Sequence, residues 1–169
     1  AVILPQNASF PWLTDVRDSK QLAPKKREEL ARLIQDTAIA WSTGIIPPEV
    51  IDIVGIAGAT FNAMRQAIRQ LRKQPEYVLV DHFTIPRLGI PQKGVRNGDE
   101  RCLSIACASI IAKVTRDRIM CELDGKYPGY GFARHKGYGT AEHLQSLYRL
   151  GPCVIHRTSF APIMSKGPE

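Results

Sequence analysis

The amino-acid sequence predicts an α/β domain in which helices pack on a mixed sheet. Short apolar runs typical of buried strands alternate with longer segments of helical spacing, and the second half of the chain is mainly helical. The length of 169 residues suits one domain with a substantial core, and no internal repeat or low-complexity tract points to another architecture. We therefore treat residues 1–169 as a single domain.

The first three segments predict a strand, a helix and a second strand. The apolar run AVILP at 1–5 begins without a turn or an initiator Met, which is the pattern of a strand whose beginning is missing. A helix follows a polar loop, with Pro24 in its first turn and Leu30 and Ile34 at helical spacing. Residues 37–46 end in a strand-like run that two prolines stop.

A long helix and a short strand come next. Apolar and small residues recur every three or four positions from 49 to 74, and Pro75 ends that predicted helix. Residues 77–80 form a short apolar run that predicts a buried strand, which Asp81 terminates. The segment IPQKGVRNGDE then predicts a loop or an edge strand whose glycine-containing tail reaches Asp99.

The remaining segments predict two helices separated by a loop. Residues 103–123 have the composition and length of a helix of about six turns, and small residues along it permit close packing. The glycine-rich residues 127–139 predict a loop. Thr140 is placed to cap the N-terminus of the last helix, and Gly151 lies just past its C-terminus.

Charge and cysteine content limit the class of protein. The formal net charge of +7 favours an anionic partner such as nucleic acid, although a basic surface without such a partner has the same composition. The four cysteines lack the spacing of a zinc site, so we expect buried, reduced thiols, as in a cytoplasmic protein. No apolar run approaches the ~18 residues of a membrane span.

Two aspartates are candidates for metal ligands. Asp81 closes a predicted buried strand and would present its carboxylate at the edge of a sheet, although such residues commonly cap loops or helices instead. Asp99 follows in a segment able to bring its carboxylate back toward Asp81. Paired carboxylates repel each other unless a cation lies between them, and an oxygen-rich site suits Mg²⁺ or Mn²⁺. Two carboxylates alone are too few for a two-metal site.

Three basic groups and one tyrosine are candidates for nucleic-acid contacts. Lys113 and Arg116 share a face of the long predicted helix. Lys136 lies in the loop before the last helix, together with Tyr138, whose ring can stack on a sugar or a base. The third group surrounds the start of the first helix and includes Lys20. Each group alone is typical of a solvated surface, whereas three in one small domain favour phosphate contacts.

Blocks of residues along the whole chain resemble the ribonuclease HII family. The two most specific are ASIIAKVTRD at 108–117 and YPGYGFARHKGYGT at 127–140. The other blocks follow the order of the family: DSKQLAPKKREEL at 18–30, VIDIVGIAGATFNAM at 50–64, YVLVD at 77–81, NGD at 97–99 and RTSFAPI at 157–163. The resemblance implies an RNase H-like fold, with a mixed sheet flanked by helices and a mainly helical C-terminal part.

The resemblance also implies an activity. Members of the family are endonucleases that cut the RNA strand of RNA–DNA hybrids and incise at ribonucleotides embedded in duplex DNA, as in ribonucleotide excision repair. Their active site holds four acidic residues and divalent metal, Mn²⁺ or Mg²⁺, and Asp81 and Asp99 match the third and fourth acids as catalytic residues and metal ligands. One ion activates a water and the other stabilises the leaving 3′ oxygen, so the products carry 5′-phosphate and 3′-hydroxyl ends. We expect a monomer that acts away from membranes.

The nucleic-acid contacts follow from the same resemblance. Tyr138 matches the tyrosine that packs on the sugar at the RNA-to-DNA junction. The other residues that we assign to nucleic-acid binding lie in the matching blocks: Lys20, Ser109, Lys113, Arg116 and Lys136.

The sequence departs from the family pattern at two places. The family has Gly after the strand-ending aspartate, where this chain has His82, whose side chain would crowd the expected metal site. The family's first motif, Asp-Glu followed by Gly-Arg-Gly on a central strand, belongs upstream of AVILP and is absent. We therefore expect an N-terminally truncated ribonuclease HII whose first, central strand is missing and which binds metal poorly and cleaves weakly or not at all.

Two other interpretations remain open. A non-catalytic relative would keep the basic surface and bind nucleic acid without cleaving it. The related ribonuclease HIII shares the core and adds an N-terminal domain. The upstream coding sequence distinguishes these readings, because Asp-Glu and Gly-Arg-Gly encoded there would identify the nuclease.

Overall fold

A computed structural model describes residues 1–17 and 19–163; Asp18 of the DSK block and residues 164–169 lie outside the described residues. In chain order the elements are β1 (Val2–Ile3), a 3₁₀ turn (Pro11–Asp15), α1 (Pro24–Thr37), β2 (Ala40–Trp41), α2 (Pro48–Arg69), β3 (Val78–Asp81), β4 (Gln92–Val95), α3 (Gly98–Arg101), α4 (Leu103–Lys126), α5 (Phe132–His135) and α6 (Ala141–Leu150). The predicted α/β class and the mainly helical second half are confirmed. The described residues form two compact units, the first within residues 1–45 and 61–114 and the second within residues 46–60 and 115–163.

The first unit has a helical core beside an antiparallel strand pair. β1 and β2 pair with Val2 opposite Trp41. The apolar spacing that predicts α1 buries Leu30 and Ile34 completely, and such side chains stabilise the folded state by about 1.5–3 kcal/mol each. The core contains Leu22, Leu30, Ala31, Ile34, Ala38, Cys107, Ile110, Ile111 and Val114. The apolar residues of α1 and α4 therefore form one cluster within this unit.

A parallel strand pair completes the first unit. β3 and β4 pair from Val78 with Gln92 to Asp81 with Val95. The side chain of Gln92 accepts a hydrogen bond from the N–H of Ile85 at 2.6 Å and donates one to its carbonyl oxygen at 2.8 Å, which fixes the connection between the strands. Because both strands run in the same direction, Asp81 and the end of β4 lie at the same edge of the pair.

The second unit packs α5, α6 and the end of α4 around aromatic side chains. Tyr130, Phe132 and Leu147 are buried, and Met120, Leu123, Tyr127, Cys153, Ile155 and Ile163 pack against them. Thr140 caps α6 as predicted, because its Oγ1 accepts a hydrogen bond of 3.3 Å from the N–H of His143. Gly151 lies at the C-terminal end of α6 with a φ of 71°, also as predicted.

Three predicted elements differ from the structure. The helix predicted over 49–74 is kinked at Gly55, which has φ 72° and ψ 167°, and α2 ends at Arg69. The strand predicted at the end of 37–46 is not found there, and the strand of this segment is Ala40–Trp41. The predicted loop over 127–139 contains α5, a single turn bounded by left-handed residues at both ends. At Gly55 and at both ends of α5, positive φ values that periodicity does not report interrupt the predicted elements.

The expectation of buried thiols is correct only for Cys107. All four cysteines are free, but Cys121 is exposed and Cys102 and Cys153 are half-buried. Cys121 is exposed on α4, although the nearby Met120 and Leu123 pack against the aromatic cluster of the second unit. No helix in the described part of the chain has both the length and the apolar character needed to cross a membrane.

Candidate active site and nucleic-acid interface

Asp81 lies at the C-terminal end of β3, as predicted. The preceding Val80 is buried, whereas the Asp81 side chain is exposed. Its Oδ1 accepts a hydrogen bond of 2.8 Å from the backbone N–H of Gly98. This bond orients the carboxylate and leaves Oδ2 without a hydrogen-bond partner in the described residues, so Oδ2 can face a cation.

Asp99 lies in α3, whereas the sequence predicted the tail of a loop. The turn begins at Asn97, whose backbone is left-handed with a φ of 52°. A Cβ atom on Gly98 would lie 2.6 Å from Cδ1 of Ile105 and 3.2 Å from Oδ1 of Asp81, so glycine allows this close approach. The residue before Asp99 is therefore in contact with Asp81.

The two aspartates supply the type of ligand that a divalent cation prefers. Carboxylate oxygens are hard donors that suit Mg²⁺ or Mn²⁺. Across residues 1–17 and 19–163, no three His, Cys, Asp or Glu side chains are grouped as metal ligands. Asp81 and Asp99 therefore fit as part of the ligand set of a divalent ion and do not complete a site by themselves.

Three more predicted residues belong to the first unit. Ser109 lies on α4, and its hydroxyl is 3.0 Å from the hydroxyl of the buried Ser19. Lys113 lies about one turn further along α4 and is half-buried, whereas Lys20 is exposed beside Ser19. The contact between the two serines therefore joins the segment that carries Lys20 to the helix that carries Lys113.

Arg116 and Tyr138 are in direct contact in the second unit. The Tyr138 side chain is 59% exposed. The Arg116 guanidinium lies 4.5 Å from the centroid of that ring, within the distance of a cation–π interaction. Its Nη2 donates a hydrogen bond of 2.7 Å to the carbonyl oxygen of Lys136. One arginine therefore contacts both the ring and the backbone of the loop that carries it.

Lys136 is anchored within its own loop. Its ammonium donates hydrogen bonds to the carbonyl oxygen of Ala133 at 2.6 Å and to Sγ of Cys121 at 3.1 Å. Its backbone ends α5 in the left-handed region, with a φ of 52°. These two hydrogen bonds leave the third N–H of the ammonium for a phosphate contact.

Arg157 was not singled out from the sequence. Burial, and then the charge of Arg116, lower the pKa of Arg157 below its usual value. Nη1 of Arg116 is buried and has no hydrogen-bond partner among the described residues. Two neighbouring guanidinium groups, one with an unmet donor, favour an anion beside them. The available signal was the position of Arg157 at the start of the RTSFAPI block.

Asp52 was also missed, because it lies within an apolar stretch of α2. Its carboxylate accepts hydrogen bonds from the backbone and hydroxyl of Thr158, both at 2.8 Å, and from those of Ser159, at 3.0 and 2.5 Å. These bonds, with the Ser159 hydroxyl first, hold the pKa of Asp52 below its usual range. Asp52 therefore fixes the segment that follows Arg157.

Known proteins resemble this chain in both sequence and structure. The family model described as Ribonuclease HII matches residues 1–163. A ribonuclease HII of Dehalococcoides mccartyi is 50% identical over 165 residues, which are 98% of this chain and 78% of the relative. One of Geobacter metallireducens is 50% identical over 160 residues, 95% of this chain and 74% of the relative. The crystal structure of the ribonuclease H2 from Pyrococcus horikoshii OT3 has a TM-score of 0.74 and 25% identity, over 90% of this chain and 81% of that one.

These matches include the two most specific sequence blocks, at 108–117 and 127–140. The solved relative also confirms the RNase H-like fold expected from the resemblance. The chain belongs to the ribonuclease HII family of RNase H-type endonucleases.

Proposed function

We propose that this nuclease cleaves the RNA strand of RNA–DNA hybrids and incises at ribonucleotides embedded in duplex DNA. The observation that carries the proposal is the contact of Arg116 with the exposed ring of Tyr138. An exposed aromatic face can pack on a sugar or a base, and a neighbouring guanidinium can bind phosphate. A ribose joined to DNA presents a sugar and a phosphate side by side, which suits this pair of side chains.

Phosphate contacts are assigned to basic residues of both units. Nη1 of Arg116 is buried and lacks a hydrogen-bond partner in the described residues. The neighbouring positive charge of Arg157 further favours binding of an anion here. The net charge of +7 supports the same class of partner. The other residues assigned to nucleic-acid binding are Lys20, Ser109, Lys113 and Lys136.

Asp81 and Asp99 are assigned as catalytic residues that hold Mn²⁺ or Mg²⁺. Gly98 holds one oxygen of Asp81, so the other keeps a defined direction. The metal would activate the attacking water and offset charge on the departing oxygen. In the overall hydrolysis a water oxygen bonds to phosphorus, the bond to the 3′ oxygen breaks, and a proton from water ends on that oxygen. The products carry 5′-phosphate and 3′-hydroxyl ends.

Cleavage by this chain is expected to be slow. Two carboxylates give weak metal binding, and in the described residues no three His, Cys, Asp or Glu side chains are placed so that they could hold a metal ion. The same observation supports a second candidate, a relative that binds nucleic acid without cleaving it. The ribonuclease HII names of the relatives favour that family over ribonuclease HIII.

A cytoplasmic monomer is the simplest setting for this activity. The four cysteines are free thiols, which suits a reducing compartment. The candidate residues all come from one chain, and the proposed reaction needs one nucleic-acid duplex and one copy of the protein.

Asp81→Asn and Tyr138→Ala test the proposal on the full chain, used in excess over a labelled duplex with one ribonucleotide. Asp81→Asn is expected to abolish cleavage while the dissociation constant changes by less than about threefold, because it removes a metal ligand and keeps the phosphate contacts. Tyr138→Ala is expected to weaken binding of the junction roughly 5- to 150-fold through lost stacking.

Asp36→Asn and Tyr148→Ala are the matched controls, since both side chains are exposed and lie on α1 and α6. Both are expected to behave like the unaltered chain. Retained cleavage by Asp81→Asn would contradict its assignment as a metal ligand. Unchanged affinity of Tyr138→Ala would contradict sugar packing, and tight binding without any cleavage by the unaltered chain would support the second candidate.

A further inference from the structure

Three buried histidines lie beside the loop that carries Tyr138. His135, His143 and His156 are 7%, 6% and 8% exposed. The rings of His135 and His143 stack with 4.2 Å between their centroids, and those of His143 and His156 are 5.4 Å apart. Phe132 packs against all three rings. None of the roles assigned above uses these imidazoles.

The hydrogen bonds of His143 and His156 define the positions of their protons. Nδ1 of His143 is 2.9 Å from the carbonyl oxygen of Tyr138, which can only accept, so Nδ1 carries the proton. Nε2 of neutral His143 is then an acceptor, and Nε2 of His156, 3.2 Å away, must donate to it. Nδ1 of neutral His156 accepts a hydrogen bond of 3.0 Å from the N–H of Cys153. The two rings therefore form a directed chain that ends on Tyr138.

His135 holds the same loop at a second point. Its Nδ1 accepts a hydrogen bond of 3.1 Å from the N–H of Gly137, so in the neutral ring Nε2 donates to the carbonyl oxygen of Tyr130 at 2.8 Å. The N–H of Tyr138 donates to the carbonyl oxygen of His135 at 2.9 Å. The backbone on both sides of the Tyr138 side chain is therefore tied to histidines.

We propose that His143 and His156 form a neutral imidazole relay that positions Tyr138, and that protonation of both rings releases the Tyr138 loop, residues 136–140. The two histidines are positioning residues, because they act on Tyr138 and not on substrate. The effect on substrate rests on the role given to Tyr138 in the proposed function. The effect on the loop stands on the hydrogen bonds alone.

One proton lies between the facing Nε2 atoms of His143 and His156, and His156 donates it. A first added proton can occupy Nδ1 of His156, which then donates to the carbonyl oxygen of Cys153, 3.2 Å away, and no longer accepts from the N–H of Cys153. The hydrogen bond between the two Nε2 atoms is kept. A second added proton has to occupy Nε2 of His143, where it meets the N–H of His156. Two cationic rings then face each other through hydrogen atoms, so they separate and His143 leaves its place against Tyr138.

The surroundings oppose protonation. Burial is the main cause that lowers the pKa of His143 and of His156 below the ordinary value of 6.5. The titratable groups against the pair are His135, the Cys153 thiol at 3.1 Å from Nδ1 of His156, and Tyr130. The charged side chains on the surrounding segments are Arg116, Asp124, Arg134, Lys136, Glu142, Arg149 and Arg157.

The direction of the pH dependence follows from these shifts. Because both pKa values are lower in the folded than in the unfolded chain, the unfolded chain takes up more protons below pH 6.5. The contribution of the relay is therefore complete above pH 6.5 and is lost as the pH falls through the lowered values.

Nitrogen NMR of ¹⁵N-histidine in the unaltered full chain tests the relay directly. Above pH 6.5 we expect the proton of His143 on Nδ1 and that of His156 on Nε2. As the second ring titrates, the hydrogen-exchange protection of the Thr140 amide, which donates to the carbonyl oxygen of Tyr138 at 2.8 Å, is expected to fall. Observation of the His143 proton on Nε2 would overturn the proposal. Hydrogen-exchange protection of the Thr140 amide that stays constant as the second ring titrates would also overturn it.

A matched pair of variants tests separately the hydrogen bonds made by Nδ1 and Nε2 of His143. Asn at this position places an amide N–H near Nδ1, whereas Gln places one near Nε2. We expect His143→Asn to keep the protection of the loop and His143→Gln to lower it roughly fivefold, as for one lost hydrogen bond. Equal protection in the two variants would refute the positioning role. If neither folds, His156→Gln, which keeps the donor to His143, is compared with His156→Asn, which lacks it.

Affinity for the single-ribonucleotide duplex distinguishes failure of the histidine relay from failure of sugar packing by Tyr138. Lower protection and roughly fivefold weaker binding in His143→Gln would support both. Lower protection with unchanged binding would support the relay and refute sugar packing by Tyr138. Unchanged protection would refute the relay, whatever the affinity.

Discussion

His82 directly follows Asp81 and has a φ of 64°, in the left-handed region that favours glycine. Its ring is exposed and lies 4.4 Å from the ring of Phe83 in an edge-to-face arrangement. Glycine, which the resemblance implies for the family at this position, would adopt this backbone conformation without strain. Crowding of a metal by His82 stays a prediction, whereas the conformational demand at this residue is a property of the fold.

Substitution of His82 measures that demand. His82→Gly is expected to be more stable than His82→Ala by about 1 kcal/mol, because alanine keeps the Cβ penalty of the left-handed backbone. Urea unfolding followed by circular dichroism gives the difference in free energy of unfolding.

Thr84 provides the control for His82, since it is exposed in the same connection and has an ordinary negative φ. There glycine is expected to be less stable than alanine, because it gains freedom on unfolding. If the glycine variant is less stable than the alanine variant at both positions, the left-handed backbone of residue 82 does not destabilise the folded state.

At the scale of elements, the sequence predicts the end of a helix correctly where one local interaction determines it. Pro24 begins α1, and Thr140 and Gly151 bound α6, because a missing N–H, a hydroxyl acceptor and a glycine act within one turn. The turn of α3 depends instead on Gly98 approaching β3, and the kink of α2 on the backbone of Gly55. Neither conformation leaves a periodic pattern in the sequence.

The cap of α6 gives a prediction at this scale. Thr140→Ala is expected to destabilise the protein by about 1 kcal/mol, because the N–H of His143 loses its acceptor. Thr140→Ser is expected to restore most of that loss. Thermal or urea unfolding measures both, with Thr84→Ala as a substitution outside any helix cap. Equal stability of Thr140→Ala and the unaltered chain would mean that the hydroxyl contributes nothing to α6.

At the scale of the whole molecule, the basic charge is distributed unevenly along the chain. Residues 1–45 and 61–114 contain 15 basic and 9 acidic residues, whereas the rest of the sequence contains 8 and 7, so nearly all of the net charge of +7 belongs to the first unit. The expectation of one domain over 1–169 stays a prediction, and a single cooperative unfolding transition is its natural test. Family membership, by contrast, rests on a match that runs from residue 1 to 163.

Binding of RNA–DNA hybrid is expected to depend steeply on salt. If about four basic side chains contact phosphate, affinity falls roughly 100-fold from ~50 to ~200 mM salt. Arg116→Gln is expected to lower the slope of log affinity against log salt by about 0.9, because one phosphate contact is lost. Arg32→Gln, an exposed position on α1, is the matched control and keeps the slope. An unchanged slope in Arg116→Gln would remove that residue from the phosphate contacts.

The sequence alone determined the α/β class, the family and the candidate roles of Asp81, Asp99 and Tyr138, because these depend on local spacing and on motifs. Tertiary structure decided which contacts position these side chains. Gly98 meets Asp81 only after β3 and β4 have paired, and Arg116 meets Tyr138 only when helix and loop are folded together. Such contacts join residues far apart in the chain, and their geometry depends on packing that no stretch of sequence contains.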